Sequence, residues 1–111
     1  MTLVNLTPHP IAIYGNRAVE DGPAEVIPPS GTVVRVATID LGTQLGKVCS
    51  YELVEYGHLD GLPPHREGIA YIVSLVAALA ARGRDDLLAP YVEVRDESGT
   101  MIGCRYLQRV C

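Results

Sequence analysis

Asn5, Thr7 and His9 bring an amide, a hydroxyl and an imidazole together in the short run Asn5-Leu6-Thr7-Pro8-His9-Pro10-Ile11. An asparagine amide reads the edge of a base or ribose through paired donor and acceptor groups, and a histidine stacks or hydrogen-bonds at neutral pH. Pro8 and Pro10 fix their own φ at about −65° and drive Thr7 and His9 out of the helical region, so the run is stiff and extended. The same side chains have a second use. Short polar groups at a strand end bond readily to neighbouring backbone, and His9 is then only a turn residue.

Anion chemistry has two further candidate centres. Ser74 stands where an apolar strand gives way to a helix, whose first unpaired N–H groups attract phosphate or carboxylate. Ser74 equally serves as an ordinary N-cap. His65 and Arg66 lie one strand-length earlier, and Tyr71 offers a ring on which a base can stack. Arg105 and Arg109 share one face if the chain is extended there, forming either a phosphate clamp or a charged strand edge.

Other chemistries fare less well. His9, His58, His65, Cys49 and Cys104 lack the close ligand spacing of a zinc module, so neither a metal nor another cofactor is expected. Cys49 with His58, or Ser74 with His9, pairs a nucleophile with a base, but neither pair has a recognisable elbow or an orienting partner. Asp85-Asp86 reads as a solvated turn.

These groups need a scaffold, and glycine and proline divide the chain into short strands. Residues 3–4 and 11–14 flank the proline corner as strands, followed by a polar loop or irregular edge over 15–25 and a turn over 27–31. Residues 32–39, rich in β-branched side chains, form a further strand, and 47–54 alternate in part and form another. Glycine and proline then cluster over 57–68 in a long loop holding His58, Asp60, His65, Arg66 and Glu67. A buried strand over 69–73 leads through Ser74 into a helix over 75–82, stopped by Gly83. Residues 84–90 form a turn or helical stub, and strands over 91–95 and 100–107 enclose a hairpin turn at Glu97-Ser98-Gly99. The fold class is α+β in a single domain over 1–111: a mostly antiparallel sheet or small open barrel with one main helix packed on one face.

Composition narrows the function classes. The chain of 111 residues is 48% hydrophobic and 20% charged, and it has six tyrosines but no Phe or Trp. Tyrosine suits half-buried sites, where the ring packs and the hydroxyl reaches solvent or a ligand. The net charge of −4 argues against a nucleic-acid polymer as partner. Eight of the nine basic residues are Arg, which favours bidentate recognition of a small anion, although a GC-rich genome produces the same bias. Cys49, Cys104 and Cys111 form no CxxC pair and fit a reducing compartment. No secretory signal is evident at the N-terminus, and the apolar run over 69–81 falls short of the roughly 20 residues that span a bilayer. A cytoplasmic protein without membrane association is expected.

The segments Asn-Leu-Thr-Pro-His at 5–9, Ile-Pro-Pro-Ser-Gly at 27–31, Tyr-Ile-Val-Ser at 71–74, Val-Arg-Asp at 94–96 and Ile-Gly-Cys-Arg at 102–105 resemble, in order and over nearly the whole chain, a family of small phage and prophage proteins. The chain also resembles phage anti-defence sponges, which sequester nucleotide signals of bacterial immune systems such as Thoeris or the cyclic-oligonucleotide pathways. That resemblance implies a homo-oligomer in the cytosol of a bacterial host, with ligands at subunit interfaces, and transfers no individual binding residue. An exposed edge strand and half-buried tyrosines independently allow self-association.

The resulting expectation is a non-enzymatic binder of a small anionic, nucleotide-like second messenger of the cyclic ADP-ribose or cyclic oligonucleotide type. Its ligand-binding residues are expected to be Asn5, Thr7, His9, Arg66, Tyr71, Ser74, Arg105 and Arg109. The alternatives are a small protein-interaction module, as a virion accessory or an inhibitor of a host protein, and a nucleotide hydrolase or transferase using His9 or His65.

Overall fold

The computed structural model describes residues 2–81 and 83–110, without the side chains of 38–40, 51 and 53–58. Expectations placed on Arg82 as the last helical residue, on Cys111, and on the side chains of Tyr51, Tyr56 and His58 lie outside the described residues.

Among the described residues ten elements follow in order: β1 (Thr2–Asn5), β2 (Ile11–Ile13), a 3-10 turn (Val19–Asp21), β3 (Glu25–Ile27), β4 (Arg35–Leu45), β5 (Ser50–Asp60), β6 (Ile69–Ile72), α1 (Leu75–Ala80), β7 (Leu87–Arg95) and β8 (Met101–Gln108). The fold is α+β, as the sequence pattern implies. Six strands form one sheet in the order β1-β6-β7-β8-β2-β3, and β4 and β5 form a separate two-stranded ribbon. The large sheet is mixed: β1–β6, β6–β7 and β2–β8 are parallel, while β2–β3 and β7–β8 are antiparallel. Asn5 at the end of one edge strand bridges to Pro29, just beyond the other edge strand, and Ser30 N donates to Asn5 O at 3.0 Å. The sheet therefore curls into a nearly closed, small barrel.

Two residues shape the barrel wall. Pro90 has no N–H to offer, and the parallel β6–β7 pairing, which joins Ile72 to Leu88, stops before it. Beyond that point β7 runs on against β8 alone, with Pro90 opposite Leu107 and Tyr91 opposite Tyr106. At Gly103 a Cβ would stand 2.5 Å from Ala12 O and 2.9 Å from Tyr14 Cε1. Only glycine lets β2 approach β8 closely enough for Tyr14 N to donate to Cys104 O at 2.9 Å.

The main core lies where α1 covers the sheet. Leu6, Val34, Tyr71, Val73, Ala77, Ala78, Leu87 and Ala89 pack together there, joined by Val36 and Leu59 from the base of the ribbon. Ile72 and Ala70 are also buried and alternate with Tyr71 and Val73, so β6 is covered on both faces. Each large side chain buried in this way contributes about 1.5–3 kcal/mol. Small residues at Ala77 and Ala78 let the helix sit close to the strands.

Several boundaries differ from the sequence expectation. The helix ends at Ala80, where Ala81 leaves helical geometry at φ −112° and ψ 24°. The ribbon is longer than the two strands expected in that region: β5 runs to Asp60, so His58 and Asp60 belong to a strand and the loop begins at Gly61. β7 starts at Leu87 rather than at Tyr91, because Leu87 and Ala89 are buried and Pro90 is tolerated where its neighbouring strand has ended. Residues 32–34 precede β4 instead of forming part of it, although Val34 N still donates to Leu6 O at 3.0 Å.

Candidate functional site

The proline corner is tied inward by Asn5, which is only 1% exposed. Its Nδ2 donates to His9 O at 2.8 Å and to Ile27 O at 3.0 Å. Its Oδ1 accepts from Thr7 N at 2.9 Å and from Thr7 Oγ1 at 2.6 Å. The amide thus spends both its donors and its acceptor on joining β1, the corner and β3. Thr7 Oγ1 also lies 3.0 Å from His9 O, so its single proton is shared between two acceptors. The side chain of His9 is left at the surface.

Beside this corner lies a groove of about 640 Å³, within the range of roughly 300–1,000 Å³ usual for ligand pockets. One wall is the corner and β2, through Thr7, His9, Pro10, Ile11 and Ala12; the other is Ser74, Leu75 and the stretch from Pro90 to Glu93. The start of β8, from Met101 to Cys104, completes it. β6 ends at Ile72 and the chain turns into α1 at Leu75, so β7 from Pro90 onward has no β6 neighbour on that side. Leu75, Tyr91, Val92 and Met101 are all exposed, an apolar cluster of the kind that marks an interaction site.

Val92 is the backbone anomaly of the site. Its φ of 62° places a β-branched residue in the left-handed region, where strain costs about 1–3 kcal/mol. The pairing with β8 passes from Tyr91 opposite Tyr106 to Glu93 opposite Cys104 without a pair at Val92. Glu93 is the carboxylate of the groove, and its Oε2 accepts from Arg95 Nη2 at 2.7 Å. Burial pushes the Cys104 thiol up from its ordinary value, which keeps it protonated and weakly nucleophilic at neutral pH.

Of the expected ligand-binding residues, Thr7, His9 and Ser74 line this groove and the others do not. Ser74 Oγ accepts from Ala77 N at 3.2 Å, so the hydroxyl is occupied as the N-cap. Tyr71 is buried in the core, and its hydroxyl lies 3.5 Å from Pro64 O. Arg105 Nη1 donates to Gly15 O at 3.3 Å and to Arg17 O, holding the loop after β2 to β8. Arg109 follows the end of β8 and is exposed, as is Arg66 in the loop before β6. Asn5 stands behind the corner as its internal fastener.

The acidic pair at 85–86 forms the turn expected of it, with Asp85 solvated but Asp86 not. Asp86 is 5% exposed and receives Arg84 in a fork, Nε to Oδ1 at 2.9 Å and Nη2 to Oδ2 at 2.5 Å. Arg84 Nη1 also donates to Pro63 O at 2.9 Å, which staples the loop after β5 to the start of β7. The bond to Arg84 outweighs burial and holds the Asp86 carboxyl below its usual range. Asp85 remains exposed, with His65 Nε2 at 3.5 Å from its Oδ1. Among the described residues no group of three or more His, Cys, Asp or Glu is placed to hold a metal ion, and no helix is long and apolar enough to cross a membrane.

The groove residues that sequence reasoning missed include Leu75, Tyr91, Val92, Glu93 and Met101. They come from separate strands and the helix start, so no local spacing announces them. Pro90 was the available signal, since a proline inside a strand implies a missing neighbour. No family model, curated protein or solved structure matches the chain.

Proposed function

We propose that the protein is a non-catalytic binding module whose groove receives an apolar segment of a protein partner. The lining carries this reading. Leu75, Tyr91, Val92 and Met101 give the groove an exposed apolar surface, and no Arg or Lys is among its lining residues. Glu93 is already paired with Arg95 at 2.7 Å, and the lining itself offers a phosphate no arginine or lysine. Ser74, already the cap of a six-residue helix, leaves little for an anion there. An apolar side chain entering the groove gains about 25 cal/mol for each Å² removed from water.

A nucleotide-sequestering role is the second reading, and one observation favours it. Thr7, His9, Ser74 and Tyr91 share the groove, so a base could stack on the tyrosine while ribose hydroxyls meet the threonine and serine.

One experiment separates the two. A displayed library of short random peptides is selected on the wild-type protein, with Met101→Asp as counter-selection. In parallel, melting is followed against cyclic dinucleotides, cyclic trinucleotides and ADP-ribose derivatives. Peptides with apolar anchors that fail to bind Met101→Asp support the module. A melting shift with a nucleotide recovered intact, and no peptide selected, replaces it with the sequestering role.

A further inference from the structure

We infer that the occupant of the groove is the tip of the β4–β5 ribbon from a second copy of this chain; this rests on the reading of the groove as a docking site for an apolar segment. The ribbon pairs Arg35 with Asp60 at its base and Leu45 with Ser50 at its far end. Among its described residues, Val36 and Leu59 at the base pack against the core. A two-stranded ribbon of this kind is marginally stable by itself. The radius of gyration of 16.5 Å exceeds the roughly 13 Å of a compact chain of this size, consistent with an arm that stands away from the body.

The tip and the groove are chemically complementary. At the tip, Leu45 is 89% and Val48 98% exposed, between them flanking Lys47, the single lysine of the sequence. The groove offers exposed Leu75, Val92 and Met101 for the two apolar side chains, and Glu93 for the ammonium group. Arg95 engages Oε2 of Glu93, and Oε1 has no partner among the described residues. Docking of each tip in the other copy's groove covers both apolar surfaces at once and closes the contact as a two-fold pair, with nothing left to propagate. The second copy thereby contributes residues that complete the site.

Sedimentation velocity over a range of concentrations tests this with the full chain. Wild type should pass from the mass of one copy to that of two as concentration rises. Leu45→Ser combined with Val48→Ser should remain a single copy, with an unchanged circular dichroism spectrum because both positions are exposed. Lys47→Glu and Glu93→Lys should each weaken dimerisation about tenfold, equivalent to about 1.4 kcal/mol, and together restore much of it. The tip variant mixed with Met101→Asp should form a heterodimer, since one intact tip meets one intact groove. A wild type that stays a single copy at millimolar concentration, or a dimer indifferent to these substitutions, overturns the inference. If library peptides still bind in a Met101-dependent way, the groove reading survives that failure; if they do not, both fall.

Discussion

Thr7 donates twice to Asn5 Oδ1, from its backbone N at 2.9 Å and from Oγ1 at 2.6 Å, while the amide nitrogen of Asn5 serves the carbonyls of His9 and Ile27. Removing this amide leaves Ile27 O and Thr7 N without their partner, while His9 O keeps Thr7 Oγ1 at 3.0 Å. Asn5→Leu should therefore cost about 2–4 kcal/mol, since each buried polar group left without a partner costs about 1–3 kcal/mol and some recover solvent. Urea unfolding measures this directly. A loss below about 0.5 kcal/mol would show that water replaces the amide.

Arg84 and Asp86 give a pH-dependent counterpart. The folded-state pKa of Asp86 is depressed, chiefly by the bond from Arg84. Its contribution is complete above the unfolded carboxylate value of about 4 and disappears as pH falls through the lower folded value. Asp86→Asn should lose about 2 kcal/mol near pH 7, and the gap to wild type should close as acid protonates the native carboxyl. Asp96, also depressed, by the hydroxyl of Ser98, is present in both proteins and cancels in the comparison. Unfolding free energies at a series of pH values check the sign. A gap constant down to about pH 2 would mean that the pair is not the source.

Much of this architecture was legible because local chemistry and tertiary structure agree. Ser74 caps the helix, β-branched and apolar runs mark β6 and β8, and the two prolines around His9 produce the corner. The parallel pairings were not legible, because they join strands remote in sequence. Nor was the burial of Asp86, since adjacent aspartates in a turn look solvated until Arg84 and Pro63 come together. The candidate site was partly legible: Thr7, His9 and Ser74 do converge. Tyr71 and Arg105 lie outside the groove, which sequence alone could not show because stacking rings and phosphate clamps use the same side chains as a buried core ring and a loop fastener.

Val92 supplies a test of backbone strain. Val92→Gly and Val92→Ala remove nearly the same groove surface and differ mainly in their tolerance of the φ of 62° at this position. In an ordinary strand alanine is the more stable by roughly 0.5–1 kcal/mol. At a left-handed position the order reverses, and Val92→Gly should exceed Val92→Ala by about 1 kcal/mol. Thermal unfolding of the two variants decides it. Alanine in the lead would mean that Val92 relaxes into the extended region in solution.

Arg105 distinguishes a fastener from a ligand clamp. Its guanidinium donates to Gly15 O and Arg17 O, and nearby the hydroxyl of Tyr106 donates to Asn16 Oδ1, so both strap the loop after β2 onto β8. These bonds lie at or near the surface, where water competes, and Arg105→Ala should cost about 0.5–1 kcal/mol. Because Arg105 does not line the groove, affinity for groove-binding peptides should change by less than about twofold, under 0.5 kcal/mol. Hydrogen exchange at Gly15 N, which donates to Arg105 O at 2.7 Å, should accelerate as the loop loosens. An unchanged melting temperature with a tenfold or greater loss of nucleotide affinity, about 1.4 kcal/mol or more, would instead make Arg105 part of an anion site and favour the sequestering role.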